Sequence, residues 1–317
     1  MGYTEIIKRN NKKYFYFTKN IRLDSNKWRK IRIYLGNKKP HKKKIQEAAE
    51  EIEIKLKKIK LKNYLYLEEK YAELLQDLKE GYSSWIENTP ENVVKKHNED
   101  FIIRFTYNTN AIEGNRLTLR QTALILKDKV IPTGIRASDY HEAINGRECL
   151  TFLKNYKGDI NEIFVCKIND ILTKNTDVSY PGRIRFFEVS IEGSNYKPPE
   201  YKLVKNYLNE LFRWYKKNKN KLHPFELACL LHHKIVWIHP FEDGNGRTAR
   251  ALMNFILIKN GYPMFFIPYE KREKYYMSIE EADKGDYKDY IKRILDLIIE
   301  QVKSYIPNDK ENIDIKL

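Results

Sequence analysis

"LHPFELACLLHHKIVWIHPFEDGNGRTAR" (222–250) contains the tetrapeptide His-Pro-Phe-Glu twice, at 223–226 and at 239–242. After the first copy, Ala228, Leu231, Ile235 and Ile238 form one apolar stripe at helical spacing, and Pro224 sits where a first helical turn tolerates proline. This copy starts a helix. After the second copy, Glu242-Asp243-Gly244-Asn245-Gly246-Arg247 carries two glycines, which are unfavourable inside a helix, so the helix stops there. "TARALMNFILIKNGYP" then reads as a second buried helix, ended by Asn260-Gly261 and Pro263. The stretch predicts helix, loop, helix.

The loop is the chemical part. A glycine-rich loop at a helix N-terminus presents backbone N–H groups and the positive end of the dipole, an arrangement suited to phosphate. Arg247 and Arg250, about one helical turn apart, add bidentate donors. Asp243 offers a hard oxygen ligand for Mg2+, and His239 an imidazole that works as a base near neutral pH. A base, a metal carboxylate, an anion nest and an arginine clamp thus fall within residues 239–250. No Walker lysine accompanies them, so this is not a P-loop. His232 and His233 are adjacent without HExxH spacing, and Cys149, Cys166 and Cys229 lack CxxC spacing, so neither a zinc site nor a disulfide framework is expected.

Outward from the loop, residues 92–306 read mostly as helices punctuated by Gly and Pro. "IRFFEVSIEGSNYKPP" (184–199) is rich in β-formers with Gly193-Ser194-Asn195 as a turn, and predicts a β-hairpin among the helices. At the other end, "KKYFYFTKNIRLD" and "KWRKIRIYLG" alternate apolar and polar residues around the turn signal Asp24-Ser25-Asn26, which predicts a small sheet ending at Gly36. An amphipathic helix follows from about Lys43, with a stop expected at Gly81. The division expected is a basic module over 1–62, a helical linker over 63–91, a helical core over 92–306 and a tail over 307–317.

Charge follows this division. Of the chain's surplus of 16 positive charges, residues 1–62 supply 14, from 20 Lys and Arg against 6 Asp and Glu. A basic sheet with aromatics predicts contact with nucleic acid through residues 1–62, the alternative being a solvated lysine-rich face. No apolar run approaches the roughly 20 residues that cross a bilayer, and the start lacks the apolar core of a signal peptide, so no membrane contact and a cytoplasmic location are expected.

"HPFEDGNGRTAR" (239–250) closely resembles the signature of the Fic family, His-x-Phe-x-(Asp/Glu)-Gly-Asn-Gly-Arg-x-x-Arg, matching at each specified position. The resemblance implies a mainly α fold, the helical Fic core with a β-hairpin flap, and transfer of AMP from Mg-ATP to a Ser, Thr or Tyr hydroxyl of a protein, itself included. By resemblance, His239 would be the base, Phe241 a buried anchor, Asp243 the Mg2+ ligand, Gly244, Asn245 and Gly246 the anion hole, and Arg247 and Arg250 the phosphate clamps. "NTNAIEGN" (108–115) resembles the family's inhibitory motif, with Thr109 and Glu113-Gly114 on a short helix and Glu113 pairing with Arg250. Autoinhibition would then be the resting state, and AMP removal by the same site is the alternative activity. A nucleic-acid-binding regulator whose Fic core only senses nucleotide is the other. The flap would bring Ile191, Glu192, Gly193 and Ser194 to the nucleotide, and Tyr275 and Asp283 would border the adenine. Asp283 stands where relatives commonly have asparagine, which keeps another nucleotide open as the donor. Related enzymes also imply a homodimer.

Overall fold

In the computed structural model, residues 2–9, 12–24, 27–60, 64–191 and 196–305 are described. The chain divides into two compact units, Met1–Asn63 and Tyr64–Leu317.

In the first unit, β1 (Tyr3–Arg9), β2 (Lys12–Asp24) and β3 (Lys27–Gly36) form an antiparallel sheet in that order. The period of two puts Phe15, Phe17, Ile31, Ile33 and Leu35 on one face, where they pack on Ile45, Ala48, Ala49 and Ile52 of α1 (Lys42–Lys60). A three-stranded sheet needs such a cover to be stable. The outer face is polar and aromatic. Glu5 accepts hydrogen bonds there from Thr18, Lys30 and Arg32 at 3.0, 2.7 and 2.8 Å, and Tyr34 meets Tyr14 and Tyr16 with ring centroids 6.2 and 5.3 Å apart.

The second unit is helical: α2 (Glu69–Asn88), α3 (Glu91–Ile112), α4 (Leu119–Ala123), α5 (Ala137–Asn155), α6 (Glu162–Thr173), α7 (Tyr201–Asn218), α8 (Pro224–Ile238), α9 (Asn245–Lys259), α10 (Arg272–Asp283) and α11 (Tyr287–Tyr305). One turn of π-helix, Leu124–Asp128, extends α4. The expected stop at Gly81 is overridden: α2 runs through it because Ala72, Leu75 and Leu78 on its inner stripe are buried in the core. A single glycine costs a helix only about 1 kcal/mol against alanine. The real stop is Thr89, held extended before Pro90.

α8 and α9 lie at the centre, buried on nearly every side. The first His-Pro-Phe-Glu copy does more than start α8. His223 Nδ1 accepts the Phe225 N–H, Phe225 is buried, and the fully buried Glu226 carboxylate accepts the backbone N–H groups of Leu65, Tyr66 and Leu67 at 3.0, 2.6 and 2.6 Å. It thereby fixes the chain leading into α2. The second copy works similarly, because Glu242 accepts the N–H groups of Ser179 and Tyr180 at 3.1 and 3.0 Å.

The β-hairpin expected over residues 184–199 is not formed among the described residues, and its turn lies outside them. Its first leg bonds elsewhere. The Arg185 N–H donates to Pro240 O at 2.9 Å, and the buried guanidinium donates to the carbonyls of His239, Phe187 and Pro199. One side chain thus does the joining that a strand ladder would have done.

Candidate active site

α8 ends at His239, whose backbone is left-handed at φ 50° and ψ 60°. That region is uncommon for a residue with a Cβ and costs of order 1 kcal/mol or more, so neighbours must hold it. They do so on both sides. Arg185 Nε donates to His239 O at 2.8 Å, while the Asn245 side chain accepts the Phe241 N–H at 2.9 Å and donates to Phe241 O at 3.0 Å. The Phe241 ring is buried beneath the loop. Gly244 is left-handed at φ 75°, and a Cβ there would stand 2.7 Å from Thr173 Cγ2, so both backbone and space demand glycine. From Gly244 the chain enters α9, whose first-turn N–H groups at Asn245, Gly246 and Arg247 lack intrahelical acceptors.

The His239 imidazole is largely buried, and burial pushes its pKa below the ordinary 6.5 against a smaller opposing pull from Val236 O. The ring donates from Nδ1 to that carbonyl over a long 3.4 Å contact. A neutral ring protonated at Nδ1 leaves the Nε2 lone pair to accept a proton.

Two buried arginines stand on the first turns of α9. Arg247 donates from Nη1 to Glu142 of α5 at 2.5 Å and from Nη2 to Asp243 at 2.8 Å, and its buried Nε has no partner among the described residues. Burial works against its charge, but Glu142 foremost, then Asp243 and Glu113, hold its pKa above the usual arginine range. Arg250 donates from Nε to Thr109 Oγ1 at 2.8 Å, and from Nη2 to Thr109 O at 2.9 Å and Glu113 Oε1 at 2.6 Å. Glu113 stands at the C-terminus of α3, where Gly114 at φ 95° closes a Schellman turn: its N–H donates to Ala111 O, and that of Asn115 to Asn110 O. The expected short inhibitory helix is thus the last turn of a 22-residue one. A Cβ on Gly246 would stand 2.4 Å from Glu113 Oε1, so the glutamate carboxylate occupies the space directly against the loop.

Behind Arg250 runs a relay. Its Nη1 donates to the Tyr275 hydroxyl at 3.4 Å, which pairs with His232 Nε2 at 2.8 Å; His232 Nδ1 pairs with the Tyr290 hydroxyl at 2.8 Å, and Tyr290 donates to Cys229 O at 3.1 Å. With Tyr290 spent on that carbonyl, His232 must donate from Nδ1 and accept at Nε2, a single neutral tautomer. Burial, holding its pKa well below 6.5, favours the same state.

The structure brings together Glu113, His239, Asp243, Gly244, Gly246, Arg247 and Arg250. Asn245 is there too, with its side chain spent on stapling the loop. Tyr275, expected beside the adenine, is 1% exposed and supports Arg250 from behind. Tyr276 beside it is 39% exposed and donates to Ile112 O at 3.1 Å, on the open side of the inhibitory helix. Asp283 pairs with His233 Nε2 at 2.8 Å and lines a cavity of about 440 Å³ with Tyr207, Trp214, Trp237 and Tyr287. Ile191 is half-buried, and Glu192, Gly193 and Ser194 lie outside the described residues. Sequence reasoning missed Glu142, Arg185 and His232 as members of this network, because nothing in local spacing marks a partner brought in by tertiary packing.

Residues 159–257 match the model of the Fic/DOC family. The protein adenylyltransferase Fic of Nematostella vectensis is 32% identical over 220 residues, covering 67% of this chain and 51% of that protein. The protein adenylyltransferase fic-1 of Caenorhabditis elegans is 34% identical over 217 residues, covering 66% of this chain and 42% of that one. The chain spans about half the length of the curated relatives it matches. Among solved structures, a Fic domain containing signaling protein from Bacteroides thetaiotaomicron superposes with a TM-score of 0.67 at 27% identity, covering 73% of this chain and 95% of that one. Fic-1 of C. elegans gives 0.66 at 26%, covering 83% and 76%.

Proposed function

Since the chain belongs to the Fic/DOC family through residues 159–257, we propose that it is an autoinhibited protein adenylyltransferase. A Ser, Thr or Tyr hydroxyl of a protein, this chain included, gives its proton to His239 Nε2 as its oxygen attacks the α-phosphorus of ATP. The new O–P bond replaces the bond to the β-phosphate oxygen, and pyrophosphate leaves. The observation that carries this reading is a base with a free lone pair beside two buried arginines on one helix start, one of which keeps an N–H with no partner among the described residues. Positioning and charge neutralisation of this kind supply most of the acceleration in phosphoryl-type transfer.

Asp243 fits the part of a Mg2+ ligand: its side chain is half exposed, and Mg2+ typically takes one or two carboxylates together with substrate phosphates. The ion would add charge neutralisation on the phosphates. Glu113 blocks the productive state by holding Arg250 and filling the space against Gly246. Incubating the wild type, Glu113→Gly and His239→Ala with α-labelled ATP and cell extract tests the reading, with label expected only where Glu113 is gone and His239 remains. The alternative, removal of AMP from a modified target, reverses the order: the wild type would release AMP and Glu113→Gly would not.

The His239 environment fixes the sign of a pH dependence. A lowered pKa keeps the ring neutral to lower pH, so kcat/KM of the Glu113→Gly variant should hold from pH 8 down past 6.5 and fall only below it. An acid limb centred above 6.5 would show that His239 is not the titrating base.

For the first unit a second reading has its own support, contact with duplex DNA through the outer sheet face. Lys30 and Arg32, which share Glu5 as a partner, lie there beside Tyr14, Tyr16 and Tyr34, within a segment holding 14 surplus positive charges. For about four neutralised phosphates, affinity should drop roughly a hundredfold between about 50 and 200 mM salt. Replacing Lys30 and Arg32 by alanine in the full chain should flatten that slope; an unchanged titration would sink the idea.

A further inference from the structure

Besides the bonds of Arg250 to Thr109, two carboxylate ties join the end of α3 to the first turns of α9. One is the direct pair of Glu113 and Arg250. The other is indirect and starts at Asn115, the residue that completes the Schellman turn by donating to Asn110 O. Its side chain accepts the Leu117 N–H at 3.0 Å and donates to Asp139 O at 3.2 Å and to Glu142 Oε2 at 2.7 Å. The second oxygen of Glu142 takes Arg247 Nη1 at 2.5 Å. Each oxygen of this carboxylate is therefore committed, one to the turn and one to the loop arginine.

We propose that Glu142 is a positioning residue: it presets Arg247 for phosphate and, through Asn115, makes that presetting depend on the folded end of the inhibitory helix. The inference rests on the reading that a nucleotide triphosphate binds at this loop. Arg247 is held from two sides, by Glu142 and by Asp243, whose side chains are 15% and 51% exposed. Asp243, whose other oxygen accepts the Gly244 N–H, is the more exposed partner and the one an incoming ligand reaches first; the enclosed Glu142 stays on Nη1 and holds the guanidinium in place. Removing the Glu113 side chain and melting the helix end then have different consequences. The first leaves Asn115 and Glu142 in place and frees an aligned site. The second frees Arg250 but loosens Arg247.

The test uses the full chain carrying Glu113→Gly, with a non-hydrolysable ATP analogue for affinity and α-labelled ATP for transfer. Adding Glu142→Gln leaves one acceptor where two are needed and sets an amide N–H against the Asn115 amide. The analogue should bind about tenfold more weakly and the KM for ATP should rise alike, with kcat changed less than about twofold, the pattern of lost ground-state binding. Asn115→Ala should weaken binding about threefold, and the double variant should be no worse than Glu142→Gln alone, because the asparagine acts only through the carboxylate. Should Glu142→Gln not fold by circular dichroism, Asn115→Ala decides, since its effect must vanish when Arg247→Ala is also present. Unchanged analogue affinity in a folded Glu142→Gln chain, or fully additive effects, overturns the proposal. A Glu113→Gly chain that binds the analogue but transfers nothing defeats the transferase reading alone, while one that binds no triphosphate defeats both.

Discussion

Replacing Glu113 by glycine is expected to raise AMP transfer by on the order of a hundredfold. The carboxylate makes a charge-assisted hydrogen bond to Arg250 at 2.6 Å and lies against the Gly246 backbone, so a phosphate can take neither the guanidinium nor the space while it stays. Hydrogen bonds to charged groups contribute about 1.5–3 kcal/mol, and each 1.36 kcal/mol is about tenfold in rate, which brackets the effect. Electrostatics add to sterics. Two arginines face three carboxylates, Glu113, Asp243 and Glu142, and removing one lifts the local excess of negative charge that repels a triphosphate. The arginine does not collapse, because Thr109 and Tyr275 still hold it. Glu113→Gln separates the two effects: it keeps the shape, loses the charge, and should land between wild type and glycine. Initial rates of labelling with α-labelled ATP measure this, and equal rates for wild type and Glu113→Gly would remove autoinhibition from the account.

In that relieved background, His239→Ala should cost transfer roughly 10²–10⁴-fold, the usual contribution of a positioned base. Nucleotide affinity, read by calorimetry, should stay within about threefold. The loop is held by Arg185, Asn245 and the Phe241 ring rather than by the imidazole, so the phosphate site survives its loss. Alanine is itself unfavourable in the left-handed backbone at this position, which His239→Asn controls for, since asparagine tolerates that conformation. If the asparagine variant transfers AMP as fast as its parent, His239 is not the base.

The helix-loop-helix at 222–250 was legible because its apolar spacing and its glycines are local signals, as was the basic sheet with its period of two. Glu113 and Arg250 could be paired only through the family resemblance; they are 137 positions apart. The hairpin at 184–199 misled because β-propensity says where a strand is tolerated and not which carbonyls its backbone finds; Arg185 supplied the answer. Spacing alone did not separate Tyr275 from Tyr276, because adjacent helical residues face different ways: Tyr275 turns inward to Arg250, and Tyr276 outward. Glu142 and His232 were invisible for the same physical reason as each other, being partners by tertiary packing alone.

The two glutamates of the repeated tetrapeptide grip main-chain N–H groups, Glu226 those of Leu65 to Leu67 and Glu242 those of Ser179 and Tyr180. Such a grip reads no side chain. The grip therefore leaves the residue type to packing, which restricts the buried Leu67 but not the exposed Ser179, and proline, which has no N–H to give, is the one substitution the contact itself forbids. At Ser179, sequence freedom at the held end thus coexists with rigidity at the holding end.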